Sequence, residues 1–299
     1  AGEDRPAHVR AGSALAVARG AIWVVQDDAN FVARLELAGG NAQAIALPRG
    51  AGGRRQFDEA RGNKADKLDL EACFVAALED REVLVALGSG STPRRERAAV
   101  VELASGAARL VDLGRLYGAL RRRLDFAGSE LNIEGAVIDG ASLVLLQRGN
   151  GAARGALQPV DATARLPVPA VLAMLAAPET APVPPLEDLR AYRLGAIGGA
   201  RLTFTEAAAV GDRLLYLAAA EASPAVRRDG PVVGVALGVL DGEGTRYALV
   251  HDLDGAPLAD KAEGLAAHPT ATGRLLAVVD RDDPQIAAEL LEIAIENAG

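Results

Sequence analysis

The stretch LEACFVAALEDREVLVALGSGS, residues 70–91, decides the fold. Two apolar runs in it flank the polar segment 79–82, which carries the charged residues expected of a tight turn. Each run is short enough for a strand and too short for a typical helix. Glu71 stands at the start of the first run and the small residue Ala72 follows it. The stretch therefore predicts a β-hairpin whose first strand begins with an acid.

The same order of residues recurs along the chain, which indicates a repeat. Four segments share a glutamate, a small residue, a short apolar strand, a turn and a Leu/Val-rich strand: Leu70-Glu71-Ala72, Ile133-Glu134-Gly135, Thr205-Glu206-Ala207 and Ala262-Glu263-Gly264. A fifth segment, Gly12-Ser13-Ala14, lacks the glutamate, and the spacings from Ser13 are 58, 63, 72 and 57 residues. Repeats of this length that divide into four short strands are typical of propeller blades. We predict an all-β fold, one five-bladed β-propeller domain over residues 1–299, with six blades as the alternative count.

The two ends of the repeat array predict how the ring closes. The fifth unit supplies only three strands, at 263–268, 274–280 and 287–295, while segment 7–10 is extended and unassigned. A propeller closes by completing one blade with strands from both termini, which leaves no free edge there. We therefore expect 7–10 to pair with 287–295. A β-solenoid, the other fold open to such a repeat, would not need this strand.

The third unit carries an insertion, residues 166–190, between its last two strands. Residues 169–176 are predicted to form a short helix, and the proline-rich part after it disfavours regular structure. Because the insertion follows a third strand, we expect it to project from the lower face of the ring.

Strand order within a blade places the longest loops on the opposite, upper face. Loops after the second and fourth strands share this face with the start of each innermost strand. They are long and polar: 49–69, 89–97, 114–132, 147–154, 220–233 and 280–286. Function concentrates on long loops held by a rigid scaffold. The upper mouth of the ring is therefore the expected site.

Acidic and polar side chains are predicted to surround this mouth. The repeat glutamates are the candidate metal ligands: Glu71, Glu134, Glu206 and Glu263. Residues that share their face, or that end second strands, are the candidate ligand-binding residues: Asp27, Asp69, Asn132, Arg148, Asn150, Glu221, Lys261 and Asp280. Because calcium takes carboxylate oxygens in flexible geometry, Ca²⁺ is the candidate cofactor.

A ring of carboxylates needs compensation, and the sequence leaves several forms of it open. Two carboxylates about 6 Å apart repel by about 3 kcal/mol at an effective dielectric constant near 20. A bound cation, shared protons, or nearby bases such as Arg148 and Lys261 would each relieve this repulsion. Alternatively, each glutamate accepts hydrogen bonds from backbone N–H groups of the next blade and stitches the repeats together.

Composition excludes several function classes. The net charge of −8 offers no basic surplus for a nucleic-acid backbone, and no apolar run of 18 residues could span a membrane. Aromatic residues make up 3 % of the chain, too few for stacking on sugar chains or single-stranded bases. Cys73 is the only cysteine and lies in an apolar run, while the three histidines fall away from the mouth. A histidine-based triad or a zinc site is therefore not expected.

Several short phrases carry a resemblance to known propellers: Asp69-Leu70-Glu71-Ala72, Leu87-Gly88-Ser89-Gly90-Ser91, Leu131-Asn132-Ile133-Glu134-Gly135, Gln147-Arg148-Gly149-Asn150-Gly151 and Gly230-Pro231-Val232-Val233-Gly234. Together they resemble an uncharacterised family of bacterial β-propellers. That family is similar in its sequence motifs to the phytase-like (esterase-like) and SdiA-regulated propellers, some of which have acidic, calcium-binding mouths. The resemblance implies a propeller fold and no established activity.

These observations favour a propeller that binds a small molecule or a divalent cation. In an enzymatic version, a cation on the repeat glutamates would activate water and hydrolyse an ester, lactone or phosphate ester, with Arg148 holding an anionic group of the substrate. The alternative is a non-catalytic scaffold whose upper loops bind a protein partner. Because the sequence begins at Ala1 rather than methionine, we interpret its start as trimmed or processed. A cytoplasmic location is the expectation, with export as the alternative.

Overall fold

A computed structural model describes residues 4–222, 230–241, 246–281 and 283–296. Parts of two upper loops, residues 223–229 and Asp282, lie outside the described residues. The strands form five antiparallel sheets that are arranged as a five-bladed β-propeller, which confirms the predicted fold.

The sheets follow one another in chain order. Blade one contains β1 (Gly12–Ala18), β2 (Ala21–Gln26), β3 (Phe31–Glu36) and β4 (Gln43–Ala46). Blade two contains β5 (Leu70–Leu78), β6 (Arg81–Gly88), β7 (Arg97–Glu102) and β8 (Ala108–Asp112). Blade three contains β9 (Ile133–Asp139), β10 (Ser142–Gln147), β11 (Asp161–Pro167) and β12 (Glu187–Tyr192). Blade four contains β13 (Ala196–Ile197), β14 (Ala200–Val210), β15 (Arg213–Glu221), β16 (Val232–Val239) and β17 (Tyr247–Leu249), and blade five contains β18 (Lys261–Ala267), β19 (Arg274–Asp280) and β20 (Glu289–Ala294).

The innermost strands form a closed ring. Strand β1 contacts β5, β5 contacts β9, β9 contacts β14, β14 contacts β18, and β18 returns to β1. Apolar clusters fill all five spaces between neighbouring blades, including the space between blades five and one. The ring is therefore continuous around its axis.

The alternation of side chains along each strand explains why the sequences of the blade strands are continuous apolar runs. In β6, Val83, Val85 and Leu87 face blade three, whereas Leu84 and Ala86 face blade one. Successive side chains of a strand point to opposite faces of its sheet. Both faces are buried in a propeller blade, so apolar residues occupy both phases of the alternation.

The N-terminal segment meets the last blade in a more limited way than the sequence predicts. The backbone N–H of Ala288 donates to the carbonyl of Val9 at 2.9 Å, just before β20 begins. Within the described chain, residues 7–10 form no strand, and blade five retains three strands. Arg10 lies at the mouth, where its backbone N–H donates to Gln26 Oε1 at 2.9 Å. The closing contact is thus one hydrogen bond rather than a ladder.

The insertion in blade three packs against the ring and does not project from it. It contains α3 (Val168–Ala176), close to the predicted helix, and the buried side chains Val171, Met174 and Leu175 join the apolar cluster between blades two and three. Burial of these apolar side chains explains why the segment folds inward. It lies next to α1 (Gly114–Arg122), which α2 (Leu124–Ala127) follows in the chain. Arg115 of α1 donates to the carbonyl of Ala181 at 2.8 Å. No residue of the insertion is among the described residues that line the mouth.

No helix within the described residues is long and apolar enough to cross a membrane.

Candidate functional site

A cavity of about 570 Å³ opens at the end of the ring where the inner strands begin. Ten acidic and six basic side chains line it within the described chain, and neither histidine nor cysteine is among them. The lining residues are Arg10, Ala11, Asp27, Asp28, Phe57, Asp58, Glu59, Ala60, Lys64, Lys67, Asp69, Glu71, Ser91, Arg95, Glu130, Asn132, Glu134, Arg148, Asn150, Gly151, Lys261, Asp280, Asp283 and Pro284. The cavity lies on the face that the sequence predicts to be functional, and its lining carries more acids than bases.

Each inner strand has a β-bulge near its start. The pairing with the second strand of the blade shifts at Ser13, Glu71, Glu134, Thr205 and Glu263. A bulge inserts one residue that has no ladder partner and re-aims side chains around it. These five residues are therefore the structurally equivalent position of the repeat, and three of them are glutamates.

The predicted equivalence of Glu206 with the other three glutamates is wrong by one residue. The bulge of blade four falls on Thr205, so Glu206 occupies the position that Gly135 has in blade three. Glu206 is 2 % exposed, and its Oε1 accepts hydrogen bonds from the backbone N–H groups of Ala207 at 2.9 Å and Ala136 at 3.3 Å. This carboxyl group thus stitches blade four to blade three. A Cβ atom on Gly135 would lie 2.9 Å from Glu206 Oε1, so the contact depends on glycine there.

The two hydroxyl residues of the repeat position also join neighbouring blades. Ser13 Oγ donates to the carbonyl of Leu70 at 2.5 Å, and Thr205 Oγ1 donates to the carbonyl of Ala262 at 2.9 Å. Each acceptor immediately precedes the bulged glutamate of the next blade, Glu71 or Glu263. The hydroxyls therefore help to fix the backbone from which two of the glutamates project.

The remaining repeat glutamates converge. Ligand oxygens of Glu71, Glu134 and Glu263, from three blades, all lie within 4.8 Å of one another, and we call these residues the central cluster. Glu134 and Glu263 are 5 % and 3 % exposed, and Glu71 is partly buried. Three carboxyl groups brought this close in a buried place require a positive charge or protons between them.

Two of the three carboxylates already have counter-charges, as predicted. The Lys261 ammonium lies 2.7 Å from Glu263 Oε1, and the Arg148 guanidinium lies 3.4 Å from Glu134 Oε1. Asn132 Nδ2 also donates to Glu134 Oε1 at 2.6 Å. Each of these contacts is made by Oε1 of its carboxylate.

The guanidinium of the buried Arg148 is paired with other side chains of the protein. Its guanidinium pairs with Glu221 as well as with Glu134, and its Nε donates to Thr203 Oγ1 at 3.1 Å. These partners make Arg148 a structural counter-charge at the cavity wall.

Glu71 differs from its two neighbours in the central cluster. It makes no hydrogen bond and no ion pair to another residue of the described chain. Burial raises its pKa well above the ordinary value, and the negative charges of Asp69 and Asp27 raise that pKa further. Burial likewise raises the pKa of Glu263 and of Glu134, against the opposing effects of Lys261 and Arg148.

A second acidic group shares Glu71 with the central cluster. Oxygens of Asp27, Asp69 and Glu71 also lie within 4.8 Å of one another. The Lys67 ammonium pairs with Asp27 and lies 2.6 Å from Asp69 Oδ1, so this group contains a positive charge supplied by the protein. We call these four residues the lysine-filled cluster.

Asp69 is a carboxylate of the mouth with several partners. Besides Lys67, it accepts from Arg95 at 2.7 Å and from Ser89 Oγ at 2.5 Å, and its φ of 56° lies in the left-handed region. Burial opposes these partners, but Lys67 and Arg95 hold its pKa below the ordinary value. Asp69 is therefore ionised and fixed in position.

The far wall of the cavity is organised by Arg10. Its guanidinium lies 2.5 Å from Asp28 and 3.1 Å from Asp58, and it donates to Gln56 Oε1 at 3.1 Å. Arg10 thus ties the end of β2 to the loop 49–69, which forms this wall.

Nine of the twelve predicted site residues line the cavity. The three that do not are Glu206, which stitches two blades, Glu263, which lies in the central cluster, and Glu221, which pairs with Arg148. Sequence reasoning missed Lys67, Arg95 and Arg10. The first could have been found from the alternation of charged residues at 67, 69 and 71, since these positions share one face of an extended chain. The other two approach from irregular segments, where no periodicity indicates a direction.

A family model described as "Family of unknown function (DUF6929)" matches residues 8–295. The chain belongs to this family. The matched region spans all five blades, so the DUF6929 family corresponds to the whole propeller.

Solved structures share the fold of this DUF6929 protein at low sequence identity. A GH43_1 enzyme from Xanthomonas citri is 12 % identical with a TM-score of 0.54, and the match covers 99 % of this chain and 91 % of that one. Regucalcin from Agrobacterium tumefaciens, a calcium-binding protein, is 14 % identical with a TM-score of 0.47, covering 98 % and 92 %. An alpha-L-arabinanase from Penicillium chrysogenum is 7 % identical with a TM-score of 0.42, covering 91 % and 76 %. No curated protein matches the chain significantly.

Proposed function

We propose that the mouth of this propeller binds one divalent cation of the calcium type at the central cluster, together with a small polar ligand above it. The observation that carries the proposal is the convergence of Glu71, Glu134 and Glu263 within 4.8 Å, with Glu71 unpaired in the described chain. A cation there would neutralise the one carboxylate of the cluster that has no hydrogen bond or ion pair within the described chain, on which the charge of Lys67 acts without direct pairing.

The donor set favours a hard cation. Oxygen is the only ligand atom that the cluster offers, and the lining contains no histidine or cysteine within the described residues. Carboxylate oxygens suit calcium, magnesium and manganese, whereas zinc and copper prefer imidazole or thiolate. The uncharacterised family that the repeat segments resemble is similar to propellers of which some have acidic, calcium-binding mouths, and this supports the same choice.

The repulsion among the carboxylates of the central cluster is large enough for a bound cation to stabilise the cluster. Two carboxylate oxygens within 4.8 Å of each other repel by at least about 3 kcal/mol at an effective dielectric constant near 20. Lys261 and Arg148 offset part of this for Glu263 and Glu134. Glu71 is the carboxyl group of the cluster with no directly paired base in the described chain, so we expect it to contribute most to cation affinity.

The cavity leaves room for a small polar ligand beside the cation. Its volume of about 570 Å³ falls in the range of small-molecule sites. Asn132 and Asn150, whose side-chain amides lie 3.3 Å apart next to Glu134, can orient hydroxyl or carbonyl groups. A bound cation supplies polarisation of a carbonyl or phosphoryl oxygen and activation of water, which is the chemistry of ester, lactone or phosphate-ester hydrolysis.

The carboxylate spacing argues against inverting glycoside hydrolysis by the same residues. Inverting enzymes hold their two carboxyl groups about 6.5–9.5 Å apart to admit water between them. The oxygens of the central cluster are closer, within 4.8 Å. The cluster therefore suits a shared cation better than an acid–base pair.

The test uses matched glutamine variants of two buried glutamates. Calorimetric titration of the chelator-treated protein with Ca²⁺ should give saturable binding for wild type. The E71Q variant should lose at least about tenfold in affinity, because it removes one of the three carboxylates that can ligate the cation. The E206Q variant is the control, since Glu206 lies outside both acidic groups and bonds to backbone N–H groups.

Two results would contradict the proposal. The first is the absence of divalent-cation binding to wild type, which would leave the scaffold function, with the upper loops as the contact surface. The second is an equal loss of affinity in E71Q and E206Q, which would indicate a structural effect.

A further inference from the structure

The lysine-filled cluster holds a cation that belongs to the chain. Lys67 is 8 % exposed, and its ammonium pairs with Asp27 and with Asp69 Oδ1 at 2.6 Å. The arrangement shows that this part of the mouth accommodates a positive charge among carboxylate oxygens.

A second observation indicates that Lys67 does not satisfy the group fully. Asp27 Oδ1 is buried and has no hydrogen-bond partner, although Asp27 Oδ2 pairs with Lys67. Glu71, the third acid of the group, makes no hydrogen bond or ion pair within the described chain, although the charge of Lys67 acts on it. An ammonium directs three hydrogen bonds, whereas a calcium ion takes six to eight oxygen ligands. A metal ion in the same place could therefore engage the oxygens that Lys67 leaves unpaired.

The loop geometry holds Lys67 where it is. Lys67 lies near the end of the loop 49–69, two residues before Asp69, and Asp69 is itself fixed by Arg95 and Ser89. The ammonium is thus pre-positioned beside Glu71 and next to the central cluster.

We propose that Lys67 is a built-in counter-ion that closes a second cation position, formed by Asp27, Asp69 and Glu71, and so limits the mouth to one cation. The proposal rests on the proposed function for the central cluster. Glu71 belongs to both positions, so removal of Lys67 would let one carboxylate serve two neighbouring cations. In the native protein Lys67 provides the second positive charge without a metal.

The test counts bound calcium in wild type, K67Q and K67R. Equilibrium dialysis against Ca²⁺, followed by elemental analysis, should give one ion per chain for wild type. The K67Q variant should bind two, because the position loses its resident charge while all three carboxylates remain. The K67R variant keeps the positive charge and should still bind one.

Thermal melts keep the proposal testable if K67Q folds poorly. In chelator, K67Q should melt below wild type, since Asp27 and Asp69 lose a counter-charge. Saturating Ca²⁺ should restore most of the difference, because the metal ion takes the place of the ammonium. A double variant, K67Q/D69N, lacks one of the three negative charges at this position and should return to one bound ion with little rescue.

The outcomes separate this inference from the function on which it rests. One ion bound to both wild type and K67Q, with no calcium rescue, overturns the inference and leaves the proposed function standing. No ion on wild type but one on K67Q overturns the proposed function and supports the role of Lys67. No ion on either protein overturns both.

Discussion

Asp28 shows how burial and charge act on one residue of the mouth. Its carboxylate lies 2.5 Å from the Arg10 guanidinium, yet Oδ1 is buried without a hydrogen-bond partner. Burial raises its pKa to about 7, the charge of Asp27 adds to this, and Arg10 opposes it. Asp28 therefore changes its charge near neutral pH.

The prediction for Asp28 concerns the pH dependence of stability. Its folded pKa of about 7 lies above the ordinary value of 3.8, so the folded protein binds this proton more tightly than the unfolded chain. The stabilisation that comes from protonated Asp28 is fully present below pH 3.8, the ordinary pKa of the group. It is lost as the pH rises through about 7, the pKa of Asp28 in the folded protein. D28N cannot ionise, so its melting temperature should fall less than that of wild type between about pH 5 and pH 8 in chelator. Equal slopes for the two proteins would contradict the assigned pKa.

The residue scale is also where sequence reasoning was least exact. The repeat predicted that glutamates would meet at the mouth, and three do. Glu206 was misplaced by one residue because Thr205 and Glu206 fit the same apolar pattern, and a bulge can fall on either. A shift of one residue in a strand sends a side chain to the opposite face. The side chain of Glu206 accordingly became a link between blades rather than a ligand.

At the scale of elements, the insertion of blade three is held by one arginine. Arg115, on α1, donates to the carbonyls of Pro178 at 3.0 Å, Glu179 at 3.1 Å and Ala181 at 2.8 Å. These carbonyls lie in the turn after α3 and outside regular structure. The arginine therefore replaces the backbone pairing that this segment lacks.

The R115A variant should loosen the insertion without opening the ring. Loss of these hydrogen bonds should cost about 1–3 kcal/mol of stability and speed proteolysis within residues 178–186. R122A, which removes the same charge from an exposed position of α1, is the control. Calcium affinity should stay at the wild-type value in both, because the insertion does not reach the mouth. Protection of the segment from protease in R115A would show that its apolar contacts alone hold it.

Strands were easier to predict than the segments that connect them. The predicted 70–78 and 274–280 coincide with β5 and β19, because alternating or continuous apolar runs bounded by turns define strands well. The direction of the insertion and the course of residues 7–10 were not predictable in the same way. Both depend on side-chain contacts with distant parts of the chain, such as those of Arg115 and Arg10.

At the scale of the whole molecule, the ring brings together groups that are far apart in sequence. The central cluster joins residues from blades two, three and five, and the N-terminal Arg10 completes the wall opposite Arg148. The blade count and the upper face could be predicted from the repeat, because geometry follows from strand order. The pairing of each acid with its base could not, since loops decide which base reaches which acid.

The surplus of acids over bases is a property of the assembled mouth. Each of Lys67, Lys261, Arg10, Arg95 and Arg148 is paired with at least one carboxylate. Glu71, at the junction of the two acidic groups, is left without such a partner in the described chain. The central claim is that a cation completes this arrangement.

Anomalous diffraction from crystals soaked in Mn²⁺ tests this claim most directly, because manganese shares the preference of calcium for carboxylate oxygens. We expect one anomalous peak per chain, within bonding distance of Glu71, Glu134 and Glu263, and no peak in E71Q crystals treated in the same way. A peak at another place on the chain, or no peak at the central cluster at a manganese concentration that saturates binding in solution, would contradict the account.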